Sequence, residues 1–241
     1  MTESLFQRGS AYQHHRPDYP ATLFQWLAAQ CNQHTLALDM GCGTGQACRH
    51  LEPLFEQVLG ADISLKQIQA APASFTHYVC GSSSALPLPE ASVNLITVAQ
   101  AFHWFDSPSF FAEAQRCLRP GGLLALISYG LCEVEGLGDL IRDYHDGPLE
   151  PWWPPERSAL MANYPDATLP WQQVPYPGDA LECHWGLADM LGYLDTWSAL
   201  VKARQAGEDP LATFTPVLAD AWGNQPRTVR WPLRVKAWRR P

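Results

Sequence analysis

The sequence predicts a doubly wound α/β fold, with a largely parallel sheet and a mainly helical, tryptophan-rich cap, on three observations. From Pro20 to Tyr129 short apolar or β-branched runs alternate with stretches of helical periodicity, the pattern of successive βα units. A turn dense in glycine, Gly41-Cys42-Gly43-Thr44-Gly45, directly follows the first of those runs. Beyond Gly130 the alternation stops: eight of the ten tryptophans lie after residue 150, and prolines crowd residues 148 to 177, where a regular helix is not expected.

Taken in order, Tyr12 to Pro20 is proline-punctuated and aromatic without a helical face, so it reads as an extended arm. Pro20 opens a helix to Cys31 with Leu23, Phe24 and Leu27 on one side. Ala37 to Met40 is the first strand, and Gln46 to Phe55 a helix mildly disturbed by Pro53. Val58 to Asp62 is the second strand, after which Ser64 can cap a short helix stopped by Pro72. Phe75 to Cys80 reads as the third strand. Val93 to Val98 is β-branched throughout its centre, as a strand buried on both faces requires. Ser107 and Pro108 start a helix ending at Arg119-Pro120-Gly121-Gly122, and Leu123 to Ser128 is the fifth strand. In the cap, a sixth strand is expected near Trp171 to Pro177, one amphipathic helix over Leu187 to Val201, and a helical piece over Pro210 to Trp222 interrupted at Pro216. Thr228 to Trp238 alternates as a last strand, with Pro232 suggesting an edge or bulge. The chain thus divides into a core with its arm (1–130), cap insertions flanking the sixth strand (131–226) and a final core strand (227–241).

Hydrophobic content of 46% with 17% charged residues is that of a globular chain. A formal net charge of -8 argues against non-specific nucleic-acid binding, because it has the wrong sign for phosphate. The cations near the C-terminus, Arg227, Arg230, Arg234, Lys236, Arg239 and Arg240, read as solvated positions on an edge strand. Seven cysteines without a CxxC pair fit free thiols in a reducing cytoplasm, and neither a signal peptide nor a membrane-spanning run is evident. No histidine falls at ligand spacing with a cysteine or acid, so no metal is expected. The sequence does not specify an oligomeric state.

The strand, glycine turn, helix and second strand from Leu36 to Ser64 form a nucleoside cradle. Glycines let a backbone approach a ligand closely, and a carboxylate at the tip of a second strand, Asp62, can accept both ribose hydroxyls. A dinucleotide fingerprint needs glycine at the sixth position of the turn, where Gln46 stands, which weakens a nicotinamide reading. Asp39 would repel a phosphate but suits a cationic amino group.

Asp39-x-Gly41-Cys42-Gly43-Thr44-Gly45 with Asp62 resembles the first two motifs of the class I methyltransferases that use S-adenosylmethionine. Tyr12-x-x-x-Arg16-Pro17-x-Tyr19-Pro20, Gln100-Ala101-x-His103-Trp104-Phe105 and Leu191-Gly192-Tyr193-Leu194-x-Thr196-Trp197-Ser198 resemble the trans-aconitate methyltransferase-like branch, related to the methyltransferase type 11 group. The resemblance implies a seven-stranded Rossmann-like sheet with its last strand antiparallel. It also implies cofactor contacts from the glycine turn (Gly41, Cys42, Gly43, Gly45), from Asp39, Asp62 and Ile63, and from Gln100. The arm would close over the cofactor, with Arg16 on the methionyl carboxylate and Tyr12 or Tyr19 facing the sulfonium, unless Arg16 merely caps a helix on a surface arm. Gly81 to Pro89 matches the segment beside the adenine, although Ser83 and Ser84 replace the usual alanine and glutamate. His103 should stand near the transferable methyl, as a base, as an acceptor-binding group, or as a packed structural histidine. Trp104 should line either core and cofactor or substrate.

The implied reaction is methyl transfer to a small molecule, with S-adenosylhomocysteine as product; a non-catalytic protein holding the cofactor or its product is the alternative. Only Arg142, Arg157, Lys202 and Arg204 are cationic between residues 130 and 226. An aromatic or monocarboxylic acceptor is therefore easier to accommodate than a tricarboxylate, each of whose desolvated charges needs a partner, unless folding converges those four cations with Arg16 and His103.

Overall fold

A computed structural model of the chain describes residues 15–178 and 180–241. Helix α1 (Ala21–Ala29) starts after the extended Pro20 and buries Leu23, Phe24 and Leu27. Strand β1 (Leu36–Met40), helix α2 (Gln46–Leu51), β2 (Gln57–Asp62), α3 (Leu65–Gln69) and β3 (His77–Cys80) form the first half of the fold. Helix α2 is shorter than the sequence suggests, because Pro53 turns the chain after Leu51. Ser64 caps α3 by accepting from the Gln67 amide at 3.4 Å.

The second half opens with β4 (Val93–Ala99), whose first six residues are buried. Asn94 accepts from the Thr35 and Leu36 amides at 3.2 and 3.0 Å and so fixes the entry of β1. After a single 3₁₀ turn (Phe102–Trp104) comes α4 (Ser107–Cys117), capped by Asp106. Strand β5 (Leu118–Tyr129) takes in the Arg-Pro-Gly-Gly segment expected as a turn, with a register shift between Val93 and Leu95.

The sheet runs β3-β2-β1-β4-β5 in parallel, then continues with the antiparallel β9 (Arg227–Arg239) and with β7 (Gln172–Val174), which pairs antiparallel on β9. The chain leaves β1 for β2 on one side and later places β4 on the other. The crevice beyond the C-terminal end of β1, where the glycine turn lies, is therefore the topological switch point.

Strand β9 overturns two expectations. It is an interior strand, flanked first by the short β6 (Glu133–Val134) and β8 (Ala180–Trp185), then by β5 and β7. Pro232 pairs with Ala180 on one side and falls between the β6 and β5 pairings on the other, so its missing N–H breaks no ladder there. The C-terminal cations are not simply solvated either: Arg239 donates to Gln30 O and Gly121 O, Arg227 to Trp222 O and Glu135 O, and Arg240 to Leu118 O. They staple carbonyls of neighbouring elements to the last strand.

The cap contains α5 (Gly138–Asp146), a 3₁₀ turn (Glu150–Trp152), the short α6 (Arg157–Met161), α7 (Leu187–Asp195), α8 (Ser198–Gln205) and α9 (Pro210–Trp222). The single helix expected over 187–201 is two. Thr196 Oγ1 donates to Tyr193 O at 2.6 Å, and Trp197 turns extended to bury its ring among Tyr144, Trp153 and Tyr193. Conversely, α9 runs unbroken through Pro216, beside which Thr215 Oγ1 donates to Leu211 O at 2.7 Å. No helix among the described residues is long and apolar enough to cross a membrane.

Candidate active site

Three glycines with positive φ, Gly41 (72°), Gly43 (54°) and Gly45 (79°), fold the turn after β1 back toward β2. Gly41 and Gly45 are glycines for packing: a Cβ on Gly41 would collide with Ala101 and one on Gly45 with the Tyr78 hydroxyl. A Cβ on Gly43 would meet nothing within 4 Å, although Gly43 lies in the wall of a cavity of about 410 Å³. That open face is where a ligand can reach the backbone. Of the turn glycines, Gly45 is set apart from the cavity wall and shapes the turn instead.

Asp62, at the tip of β2, accepts from the Gly43 amide at 2.8 Å through Oδ2 and from the Ser64 amide at 2.8 Å through Oδ1. A carboxylate has about four acceptor sites, so roughly two remain, one on each oxygen, which suits a vicinal diol. Asp39 lies deeper, 1% exposed, accepting from Thr97 Oγ1 at 2.7 Å and from Cys48 Sγ at 3.6 Å. Burial pushes its pKa up to about 7 against those hydrogen bonds, and the Asp62 charge adds to the rise. A cationic group brought to this end of the cavity would reverse that penalty.

The described part of the arm lies over the turn. Gln46 Nε2 donates to Pro17 O at 2.8 Å, and Asp18 meets His50 Nε2 at 3.0 Å, so α2 holds the arm down. Arg16 stands with its guanidinium 5.3 Å from the centre of the Tyr193 ring and Nη1 3.5 Å from the Tyr129 hydroxyl. Gly192 allows this approach, since a side chain there would overlap His15. Tyr12 lies outside the described residues, whereas Tyr19 lines the cavity.

On the opposite wall, Ile63 is 73% exposed beside the Gly81–Ser84 turn. Ser82 and Ser84 hydroxyls bond each other at 2.9 Å, and Ser83 lies between them in the cavity wall. Arg116 fixes the following residues by donating to Leu86 O and Leu88 O while paired with the buried Glu113 at 2.7 Å.

Beyond the turn, Gln100 takes a positive φ of 55°, held by its amide on Ile127 O and its side chain on Tyr129 O. That kink throws Ala101 against Gly41 and brings His103 and Trp104 to the cavity. Their rings are 4.7 Å apart. His103 Nδ1 lies 3.3 Å from the Tyr164 hydroxyl, and burial followed by the nearby Arg157 lowers its pKa to about 4. Arg157 itself lines the cavity, 3.9 Å above Trp153 and with Nη2 3.3 Å from His145 Nε2.

The residues brought to one cavity therefore include Arg16, Asp39, Gly41, Cys42, Gly43, Asp62, Ile63, Ser83, Ser84, Gln100, His103 and Trp104. Tyr129, Tyr193 and Trp197 also line its wall, none of them assigned to the site from the sequence, and so does Arg157, one of the four cap cations that folding could bring to Arg16 and His103. Tyr193 and Trp197 sit within a motif read only as a family likeness, while Arg157 carried no signal beyond being one of few cap cations.

An open parallel sheet, a glycine turn at its switch point and an acid at the next strand tip define a nucleoside-binding Rossmann-like protein. The family model described as "Methyltransferase domain" matches residues 38–126. A Dictyostelium discoideum protein named as a methyltransferase is 32% identical over 219 residues, covering 88% of this chain and 83% of that one. A solved structure reported as a type II methyltransferase from Anaeromyxobacter dehalogenans is similar at 38% identity and a TM-score of 0.86, covering 93% of this chain and 97% of that one. A malonyl-[acyl-carrier protein] O-methyltransferase of Marinomonas is 33% identical over 127 residues; the match covers 48% of this chain and 47% of that enzyme, so the chain spans about half its length. The chain belongs to the class I S-adenosylmethionine-dependent methyltransferases, and it is an enzyme of that class using S-adenosylmethionine as methyl donor.

The site fits that cofactor on its own geometry. The open face of Gly43 and the remaining acceptor sites of Asp62 suit the ribose end, while Asp39 and Arg16 suit the amino and carboxylate groups of the methionyl end.

Proposed function

We propose that this enzyme methylates an oxygen of a small monocarboxylate carried on an aromatic or apolar body. One observation carries the reading: of the four cap cations, Arg157 alone lines the cavity among the described residues. Arg142 is on the surface against Asp139, Arg204 is held by Asp195 and Asp209, and Lys202 is exposed. One carboxylate can thus be matched by one guanidinium, whereas a polyacid would bring charges without partners. Leu160, Trp197 and Val201 supply the apolar wall for the rest of the molecule.

Bound S-adenosylmethionine supplies an electrophilic methyl on a sulfonium that departs as a neutral thioether. The chain's own contribution is alignment and exclusion of water. Trp153 below and His145 beside Arg157 hold its guanidinium in place, so that the acceptor carboxylate is oriented without further ordering of that side chain. A carboxylate is already ionised near neutral pH, so no proton has to be removed. The O-methyltransferase activity in the name of the Marinomonas relative accords with an oxygen acceptor.

The test is a screen of labelled-methyl transfer over monocarboxylates, di- and tricarboxylates, phenols and amines. Base-labile methyl ester from a monocarboxylate is expected. Arg157→Gln should raise KM about 10- to 150-fold, the equivalent of a charged hydrogen bond worth about 1.5–3 kcal/mol. Turnover confined to tricarboxylates or amines would overturn the reading.

A further inference from the structure

Asn163 and Tyr164 are consecutive non-glycine residues with positive φ, 57° and 50°. A bulky residue keeps that conformation only where its surroundings over-determine it, and such places cluster at functional sites. Here the surroundings are specific. Lys236 Nζ donates to Tyr164 O at 2.7 Å, Arg234 Nη1 to Met161 O at 2.7 Å, and Ser128 Oγ to Asn163 Oδ1 at 3.2 Å. The Tyr164 amide also donates to Ala159 O at 2.7 Å. Strand β9 thus holds this cap turn by the Met161 and Tyr164 carbonyls, and β5 holds it by the Asn163 side chain.

The clamp drives the Tyr164 ring, 3% exposed, against Phe102 edge-on and alongside His103, with the His103 ring tilted only 16° from it. Tyr164 does not line the cavity but His103 does, so any effect of Tyr164 on the reaction passes through His103. The contact is the one between the hydroxyl and Nδ1 at 3.3 Å.

Hydrogen-bond bookkeeping decides who donates. Burial and Arg157 keep His103 neutral near pH 7, so one ring nitrogen carries the proton and the other accepts. A buried hydroxyl without an acceptor for its proton is costly, and among the described residues Nδ1 is the acceptor within its reach. Burial pushes the Tyr164 pKa well above the usual phenol range, so the hydroxyl keeps its proton near pH 7 and has it to donate to Nδ1. With Nδ1 accepting, the imidazole proton sits on Nε2.

We propose that Tyr164 is a positioning residue that holds His103 in its Nε2–H tautomer, so that His103 offers the acceptor a hydrogen-bond donor and not a base. This rests on the reading above that the acceptor lies beside His103 and Arg157. A donor at that point suits an oxygen acceptor already negative, whose second oxygen it can hold. It poorly serves a phenol or amine that must lose a proton. Acceptor choice is thereby set partly by a residue outside the cavity.

The direct test is the ¹⁵N spectrum of the imidazole nitrogens in wild type and Tyr164→Phe near neutral pH, with His103 assigned by its loss in His103→Gln. It needs no acceptor, so it stands apart from whether the monocarboxylate reading holds. Wild type is expected to show a protonated Nε2 and bare Nδ1, and Tyr164→Phe a mixture of tautomers. A protonated Nδ1 in wild type would overturn the donor role, and an unchanged spectrum in Tyr164→Phe would overturn the positioning role. Should that variant fail to fold by circular dichroism, the wild-type tautomer still decides. In turnover, Gln places an amide donor near the Nε2 position and Asn near Nδ1. His103→Gln should therefore keep a kcat at least about tenfold above His103→Asn, as expected when one preorganised donor is retained. Equal losses would contradict a donor at Nε2.

Discussion

Replacing Asp39 by asparagine should stabilise the cofactor-free enzyme at high pH while weakening its hold on the cofactor. Asp39 is 1% exposed, and its pKa stands at about 7 against an ordinary 3.8, with desolvation the largest cause. A folded pKa above the unfolded one means that the native state binds the extra proton. The benefit is whole below the unfolded pKa and is lost as pH rises through the folded one. A rise from 3.8 to about 7 corresponds to about 4 kcal/mol in all, more than half of which is lost between about pH 5 and about pH 8. The substituted amide carries no such charge, and it can still pair with Thr97 and Cys48. The stability of Asp39→Asn relative to wild type should therefore grow by about 2 to 3 kcal/mol over that range. His103, whose lowered pKa costs stability as pH falls, is common to both proteins and cancels. Urea unfolding at several pH values measures the difference, and calorimetry measures S-adenosylmethionine affinity, which should rise with pH in wild type only. A stability gap constant across the range would mean that Asp39 is not protonated in the folded enzyme near neutral pH.

Three further outcomes follow from the same geometry. Asp62→Ala should weaken S-adenosylmethionine binding by about 1–3 kcal/mol, since the acceptors for the ribose are lost together with those for the Gly43 and Ser64 amides; wild-type affinity by calorimetry would remove Asp62 from the site. Gly43→Ala should cost about 1 kcal/mol of stability, from its positive φ alone, but block cofactor binding, whereas Gly45→Ala should be the more destabilising because its Cβ collides with Tyr78. Thermal melts with and without S-adenosylhomocysteine separate the two effects, and a full cofactor-induced shift in Gly43→Ala would contradict them. Hydrogen exchange at residues 15–19 should slow with saturating cofactor if the arm closes on it, and indifference there would count against a closing arm.

Much of the core was legible because its signals are local. The β-branched run of β4, the glycine turn and the acid ending β2 each state their own conformation or position within a few residues. What was not legible depended on partners distant in sequence. Nothing near Arg227 to Arg240 says that β9 has neighbours on both sides, and its cations were misread for that reason: their acceptors lie on β5, α6, α9 and the loops. Trp197 ends a helix that its spacing would continue, because burying the indole among three cap aromatics outweighs helix continuity. At the site, the cofactor end rests on motifs contiguous in sequence. The proposed acceptor end joins His103 to Tyr164 and Arg157 across 61 and 54 residues, through a strained backbone that no composition reveals.

The proposed esterification of a monocarboxylate gripped by Arg157 is decided by following labelled methyl from S-adenosylmethionine into a paired acceptor series. The pair is an aromatic monocarboxylate and the same molecule as its neutral amide, each with wild type and Arg157→Gln. Base-labile ester is expected from the carboxylate only, with a KM that rises about 10- to 150-fold in the variant while kcat changes less. Equal methylation of acid and amide, or a KM for the acid indifferent to Arg157, would contradict it.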